Sequence, residues 1–126
     1  MKVDHITINV TDLEKSMNFY ENIMGLKKLD HVRMEDHDLY YFSLGETVRL
    51  ELIHYDEETA AVHNDVKTRG IYRHFAIETD EIEELYERCK ESGVKLLSEL
   101  GFVERLKFTN FLLEDPNGVE VEIIKY

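Results

Sequence analysis

The sequence predicts an α+β fold made of two βαβββ modules, whose mixed sheets together form a curved cleft. Internal repetition is the first reason: residues 48–55 (VRLELIHY) return as 119–126 (VEVEIIKY), and residues 4–8 (DHITI) return as 73–77 (RHFAI). Apolar and polar residues alternate in these segments, which is typical of half-buried strands. In each half, apolar residues at helical spacing then follow the first strand and end at a glycine.

The first module is predicted to cover residues 1–55. Residues 3–10 alternate as a strand, and the sequence TDLE at 11–14 has the form of a capping box that starts a helix. Apolar residues at helical spacing continue to Met24, and Gly25 ends the helix. Three strands are predicted to follow, over residues 26–34, 39–44 and 48–54.

The second module, residues 71–126, repeats this order. A strand over residues 71–79 precedes a helix that the sequence DEIE at 80–83 can cap and that Gly93 ends. Cys89 lies on the apolar face of this helix, so we interpret it as a small buried group rather than a nucleophile. Strands are predicted over residues 94–98, 106–113 and 119–125, and a type I turn over 115–118.

Length and composition favour a single domain, in which residues 56–70 form a polar linker between the modules. The chain has 126 residues, of which 43% are hydrophobic and 33% charged, as in a soluble globular protein. Its formal net charge of −12 argues against nucleic acid, whose phosphates attract basic surfaces, and against anionic membranes. One cysteine, no apolar run of about 20 residues and no segment typical of a signal peptide favour the cytoplasm. A small-molecule substrate or a protein partner remains, and of these we expect a small molecule.

Two histidines and two glutamates recur at equivalent positions of the two modules: His5 and His74 in the first strands, Glu51 and Glu122 in the last. Because successive side chains of a strand point to opposite faces, all four fall on the face opposite the apolar side chains that contact the helix. Two imidazoles and two carboxylates suit Zn, Ni, Co, Fe or Mn, so the pattern predicts one divalent metal. The alternative is a solvated sheet face with ordinary outward polar residues.

Such a metal site predicts a substrate that chelates through two adjacent oxygens. The metal acts as a Lewis acid on a carbonyl or enediolate oxygen, and a carboxylate that the substrate releases from it acts as the base. Arg49 shares the face of the predicted ligands, so it is the first candidate for a contact with a substrate carboxylate.

With these features the chain resembles the vicinal oxygen chelate superfamily over its whole length. The sequence marks of the resemblance are HITINVTDL at 5–13, NFY at 18–20, MGL at 24–26 and EDPNG at 114–118, together with the four predicted ligands. The resemblance implies the glyoxalase/bleomycin resistance/dioxygenase fold, and a homodimer with its active clefts where modules meet.

The order His, Glu, His, Glu resembles glyoxalase I, the lactoylglutathione lyase. The resemblance implies that His5, Glu51, His74 and Glu122 bind the metal, and that a hemithioacetal of methylglyoxal and a thiol becomes an S-lactoyl thioester. Glu122 is the first candidate for the base, and Glu51 is the second. The short chain resembles the bacterial form, which implies nickel or cobalt ahead of zinc, manganese or iron.

The identity of the thiol stays open because two positions depart from the family pattern. Members that bind glutathione often carry Arg at the position of Asn9 and Asn at the position of Tyr55. We expect Asn9, Arg49 and Tyr72 to contact the substrate. The resemblance also leaves room for an epimerase acting next to a thioester carbonyl, a thiol transferase, a dioxygenase, or a ligand-sequestering protein without catalysis.

Overall fold

The computed structural model describes residues 2–58, 67 and 72–126. The chain divides into two compact units, unit 1 (Met1–Ala61) and unit 2 (Val62–Tyr126). Most of the predicted linker, residues 56–70, lies outside the described residues. Asp56, at its start, belongs to unit 1, where its Oδ2 lies 2.7 Å from Nη2 of Arg33.

Unit 1 has the predicted order of one strand, one helix and three strands. Its four-stranded sheet has the order β1-β4-β3-β2, in which β1 is parallel to β4 and the other pairs are antiparallel. The predicted mixed sheet of the first module is confirmed. The elements are β1 (His5–Asn9), α1 (Leu13–Asn18), β2 (Lys28–Arg33), β3 (His37–Ser43) and β4 (Arg49–Tyr55).

Helix α1 begins one residue later than the capping box predicts. Asp12, not Thr11, is the N-cap, and its side chain accepts a hydrogen bond of 3.1 Å from the backbone N–H of Lys15. Aspartate is a better N-cap than threonine, which explains the shift. The helix continues as a π-helical turn over Phe19–Ile23 that the sequence does not predict. Gly25 then ends it, as predicted, with a φ of 72°.

Unit 2 has one strand more than predicted. Its sheet has the order β5-β9-β8-β6, and the additional strand β7 also pairs with β8. This strand has only three residues and begins with a glycine, so it is too short to show an alternating pattern. The elements are β5 (His74–Glu78), α2 (Ile82–Glu91), β6 (Lys95–Leu96), β7 (Gly101–Val103), β8 (Phe108–Glu114) and β9 (Glu120–Lys125).

Local signals in unit 2 position its second and last strands. Gly93, with a φ of 71°, ends α2 as predicted. The turn over 115–118 is also confirmed: the backbone N–H of Gly118 donates to the carbonyl of Asp115 at 3.1 Å. The side chain of Asp115 accepts from the backbone N–H of Asn117 and Val119 at 2.7 and 2.8 Å. This turn sets the antiparallel register of β8 and β9.

In each unit an aromatic ring of the helical segment contacts a ring of the sheet: Tyr20 lies 6.1 Å from Phe42, and Tyr86 lies 5.1 Å from Phe111. Cys89 is fully buried, and burial raises the pKa of its thiol to about 11, in agreement with its interpretation as a small apolar group. Neither helix of the described ranges has the length and apolar character needed to cross a bilayer. The buried apolar residues include Phe19, Tyr20, Phe42, Leu50 and Leu52 in unit 1 and Ile82, Phe111, Leu113, Val121 and Ile123 in unit 2.

Candidate metal centre

In unit 1, strand register brings His5 and Glu51 to the same face of neighbouring strands. Parallel pairing of β1 with β4 aligns His5 with Arg49 and Thr7 with Glu51. The hydroxyl of Thr7 donates to Oε1 of Glu51 at 3.1 Å, which fixes the face that both side chains occupy. Ile8 and Leu52, on the opposite parity, are buried. The prediction that His5 and Glu51 lie on the sheet face opposite the buried apolar residues is therefore confirmed.

Glu51 is a buried carboxylate supported by hydroxyl donors. Its residue is only 7% exposed, and the hydroxyl of Tyr41, its cross-strand partner on β3, donates to its Oε2. This hydrogen bond, with burial, raises the pKa of Tyr41. Each carboxylate oxygen has two lone pairs, so Glu51 keeps acceptor capacity for a metal ion on both oxygens.

His5 is held by the residue that precedes it. Its Nδ1 lies 2.8 Å from Oδ2 of Asp4, and the same oxygen accepts from Nη2 of Arg49 at 2.7 Å. Hydrogen bonds from His5 and then Arg49 hold the pKa of Asp4 below its usual range. In the tautomer that carries its proton on Nδ1, His5 has a free lone pair on Nε2, the arrangement that a metal-binding histidine needs.

In unit 2, the histidine and the glutamate are in direct contact. Parallel pairing of β5 with β9 aligns His74 with Glu120 and Ala76 with Glu122, which is the same two-residue offset as in unit 1. Nε2 of His74 lies 3.1 Å from Oε2 of Glu122. Both side chains are largely shielded, with 33% and 14% of their surface exposed.

This contact fits two adjacent ligands of one metal ion. Two ligand atoms at about 2.1 Å from a metal and at right angles to each other lie about 3.0 Å apart, close to the observed 3.1 Å. The other oxygen of Glu122, Oε1, accepts from Nδ2 of Asn110 at 2.7 Å, a supporting contact of the kind that orients ligating carboxylates. The donor set and its spacing in unit 2 therefore suit a divalent ion.

The Nδ1 atoms of His74 and His5 differ in their hydrogen-bond partners. Nδ1 of His74 is buried and finds no hydrogen-bond partner among the described residues. Arg73, which precedes it, forms an ion pair with Glu120 instead. Thus His74 is oriented through Nε2 by Glu122, whereas His5 is oriented through Nδ1 by Asp4.

The predicted ligands accordingly occur as two pairs, one in each unit. Within residues 2–58, 67 and 72–126, no group of three or more His, Cys, Asp or Glu side chains that could hold a metal ion is found. Each pair alone offers two donors, one imidazole and one carboxylate.

The three predicted substrate contacts have different surroundings. Asn9 lines a cavity of about 150 Å³ at the end of β1 and β4, together with Tyr55, His54, Glu57 and Glu58 among others. Arg49 is paired with Asp4, and its guanidinium lies 4.8 Å from the centre of the Tyr41 ring. Tyr72 is 64% exposed. The structure thus associates Asn9 with a cavity and gives Arg49 a partner within the chain.

Sequence reasoning missed the residues that support the ligands. Asp4 carried a signal, because it precedes His5 in the chain. Tyr41 and Asn110 carried none, because their contacts with Glu51 and Glu122 depend on which residues of neighbouring strands come together.

Comparison with known proteins gives a family and a fold. The model of the family described as Glyoxalase/Bleomycin resistance protein/Dioxygenase superfamily matches residues 2–123. The lactoylglutathione lyase of Neisseria meningitidis is 31% identical over 134 residues, which cover 99% of this chain and 91% of that protein. The mitochondrial methylmalonyl-CoA epimerase of Bos taurus is 31% identical over 103 residues, 78% of this chain and 58% of that protein.

A solved structure supports the same fold. The trypanothione-dependent glyoxalase I of Leishmania major superposes with a TM-score of 0.80 at 24% identity, covering 99% of this chain and 86% of that one. At this identity the likeness shows the fold alone.

Proposed function

This chain belongs to the Glyoxalase/Bleomycin resistance protein/Dioxygenase superfamily, and from that premise we propose that it is a metal-dependent lyase of the glyoxalase I type. Its substrate is the hemithioacetal that methylglyoxal forms with a thiol, and its product is the S-lactoyl thioester. The observation that carries the proposal is the contact of 3.1 Å between His74 and Glu122, together with the same His and Glu offset in unit 1.

We assign the metal to His5, Glu51, His74 and Glu122, with nickel or cobalt favoured over zinc, manganese and iron. Two neutral imidazoles and two carboxylates form a donor set that suits these ions. When bound, a divalent ion supplies Lewis-acid stabilisation of the negative charge that develops on the substrate oxygens.

The chain itself supplies the proton transfer. We assign the base to Glu122, which takes the proton from the carbon that bears the sulfur and the hydroxyl group. It returns that proton to the neighbouring carbon, while the hydroxyl proton of the first carbon passes to the carbonyl oxygen of the second, so the reaction is a balanced isomerisation. Asn110 donates to Oε1 of Glu122 at 2.7 Å and so orients this carboxylate. Glu51, held by Thr7 and Tyr41, is the second candidate.

The charge of the cavity lining in unit 1 indicates which kind of thiol the substrate carries. It lies about 13 Å along β4 from Glu51, since Tyr55 follows four residues later at about 3.3 Å per residue. A substrate that chelates beside Glu51 and extends along β1 would reach it. The described residues of its lining include Glu57 and Glu58 and no Lys or Arg. This lining favours a thiol with a neutral or cationic end over one that ends in carboxylates, such as glutathione.

We propose a cytoplasmic homodimer as the working form of the protein. Large apolar side chains that the single chain exposes support a protein–protein interface. Among them are Phe102, Leu106 and Tyr126, which are 57–76% exposed. A sizing column at micromolar concentration tests the dimer, and elution at 14.9 kDa would contradict it.

Metal reconstitution tests the activity. The chain is stripped of metal, reloaded with nickel, cobalt, zinc or manganese, and assayed with methylglyoxal premixed with glutathione or with glutathione diethyl ester, a thiol of the same reach without carboxylates. We expect turnover only with metal, and a higher kcat/KM with the diester. Absence of turnover with every metal and thiol would contradict the proposal.

A second candidate function is epimerisation next to a thioester carbonyl. The 31% identity with the Bos taurus methylmalonyl-CoA epimerase favours it, and so do the two equivalently placed glutamates, since an epimerase needs a proton donor and acceptor on both faces of a carbon. Incubation with methylmalonyl-CoA in deuterated water distinguishes the two. Metal-dependent deuterium incorporation at the α-carbon without methylglyoxal turnover would establish the epimerase instead.

A further inference from the structure

Each predicted histidine lies beside an ion pair, and the charges of the two pairs are reversed. In unit 1 the residue before the histidine is Asp4, and it pairs with Arg49, the residue aligned with His5 on the neighbouring strand. In unit 2 the corresponding residue before the histidine is the basic Arg73, and its partner across the strands is the acidic Glu120. The position of the pair is the same, but only unit 1 has its carboxylate next to the histidine.

From this difference we infer that Asp4 is a positioning residue for His5, that Arg49 holds Asp4 in place, and that the His74 half of the site has no such device. The inference rests on the proposed function, because it concerns His5 as a metal ligand. It assigns Arg49 to the support of the site, where the sequence had favoured a contact with the substrate.

The chemistry of imidazole explains why it matters whether the residue before the histidine is the acidic or the basic member of the ion pair. A carboxylate that accepts the Nδ1 proton fixes the tautomer and the ring orientation, and it makes Nε2 a better donor to a metal. Oδ2 of Asp4, 2.8 Å from Nδ1 of His5, meets this condition. A guanidinium at the same position has donors only, so Arg73 cannot accept that proton, and Nδ1 of His74 finds no partner in the described chain.

Arg49 also connects the two predicted ligands of unit 1. One side of its guanidinium holds Asp4 at 2.7 Å, and its face lies 4.8 Å from the centre of the Tyr41 ring. The hydroxyl of Tyr41 in turn donates to Glu51. A continuous set of contacts therefore runs from His5 to Glu51 through Asp4, Arg49 and Tyr41.

The alternative is that Asp4 and Arg49 form an ordinary surface ion pair. Their side chains are 60% and 42% exposed, and exposed pairs contribute little to stability. A charge swap separates the two roles. Asp4→Arg combined with Arg49→Glu keeps an ion pair with the polarity of unit 2 and removes the carboxylate from His5.

The experiment measures cobalt affinity by competition with a chromophoric chelator, and the Tm of the metal-free chain. For the swap we expect an unchanged Tm and a cobalt affinity about 10- to 100-fold weaker. Asp4→Asn keeps an acceptor oxygen for Nδ1 and should weaken binding less than Asp4→Ala does. If the swap lowers the Tm, the comparison of Asp4→Asn with Asp4→Ala, made at a temperature below both Tm values, decides between a positioning role and a surface ion pair.

Two controls make the result specific. Swapping the exposed helix pair Glu87 and Lys90, whose charged atoms lie 3.3 Å apart, should leave cobalt affinity unchanged. Arg73→Asp combined with Glu120→Arg gives His74 a neighbouring carboxylate and should tighten cobalt binding. An unchanged affinity in the Asp4 and Arg49 swap, or equal losses in Asp4→Asn and Asp4→Ala, would overturn the inference while leaving the proposed function intact. A wild-type chain that binds no cobalt would overturn both.

Discussion

Units 1 and 2 carry the same histidine and glutamate offset, but they stabilise it in different ways. In unit 1, His5 and Glu51 have separate partners, and two hydroxyl groups donate hydrogen bonds to the carboxylate of Glu51. In unit 2, His74 and Glu122 contact each other at 3.1 Å, and an amide supports the carboxylate. Strand register is thus the common element, while the supporting side chains are particular to each unit.

The difference teaches which features a parallel strand pair fixes and which it leaves free. Register and parity decide that residues two positions apart on adjacent strands share a face. They do not decide the sign of a neighbouring charge, since an ion pair at that place works with either polarity. The consequence is chemical rather than architectural: one histidine gains a carboxylate on Nδ1 and the other does not.

The largest effect that distinguishes the units is expected for the two carboxylates. Glu122→Gln keeps an oxygen that can bind a metal but removes the proposed base, so kcat should fall about 10²- to 10⁴-fold. Glu51→Gln should mainly weaken metal affinity, with a smaller loss of kcat in the fully loaded enzyme. Steady-state kinetics at saturating metal measure both. The reverse order of the two kcat losses would transfer the role of base to Glu51.

An intermediate effect is expected for the support of the buried carboxylate in unit 1. Tyr41→Phe removes a donor from Glu51, which is 7% exposed. Leaving a buried acceptor with fewer partners costs about 1–3 kcal/mol of unfolding free energy, measurable by urea denaturation of the metal-free chain.

Tyr40→Phe is the matched control for that variant. Tyr40 is the preceding residue of β3, on the other side of the strand, where its ring stacks on His31 at 4.5 Å. A comparable loss in both tyrosine variants would mean that the hydrogen bond to Glu51 contributes nothing particular.

The smallest effect concerns an edge of unit 1. Arg33 donates to Asp38 at 2.9 Å and to Asp56 at 2.7 Å. The pKa of Asp38 is lowered by hydrogen bonds from His31 and Arg33, and that of Asp56 by its hydrogen bond from Arg33. A carboxylate with a lowered pKa adds stability above its ordinary value of 3.8, and this stability is lost as pH falls through the lowered pKa.

Arg33→Gln therefore should lower the Tm slightly at neutral pH, and the difference from wild type should vanish in acid. Thermal unfolding from pH 7 down to pH 2 measures it. Because the groups are exposed, we expect only a small shift. A difference that persists below the lowered pKa values would show that the effect of Arg33 is not electrostatic.

Much of the architecture was predictable because it follows from periodicity. Alternation and the repeat gave the strands of both units, and parity correctly placed Glu51 and Glu122 opposite the buried faces. Strand β7 was missed because three residues cannot show a period of two. The π-helical turn over Phe19–Ile23 was missed because its wider hydrogen bonding has no distinct sequence pattern.

The candidate site was predictable only in part. The residue types and their faces followed from the repeat, since it pairs each histidine with a glutamate. The contact of Arg49 with Asp4 joins residues 45 positions apart, and it depends on the parallel alignment of β1 and β4. The sequence left that register open, so it did not predict this ion pair, and the contact of Arg49 with a substrate stays a prediction.

The central claim is the proposed assignment of one divalent ion to His5, Glu51, His74 and Glu122, and a cobalt titration of the full chain tests it most directly. The change in d–d absorption gives the number of ions bound per chain. We predict one ion, and a loss of binding in both His5→Gln and His74→Gln, with no loss in His54→Gln as the control. No bound cobalt, two independent ions per chain, or binding that survives in either of the first two variants would contradict the claim.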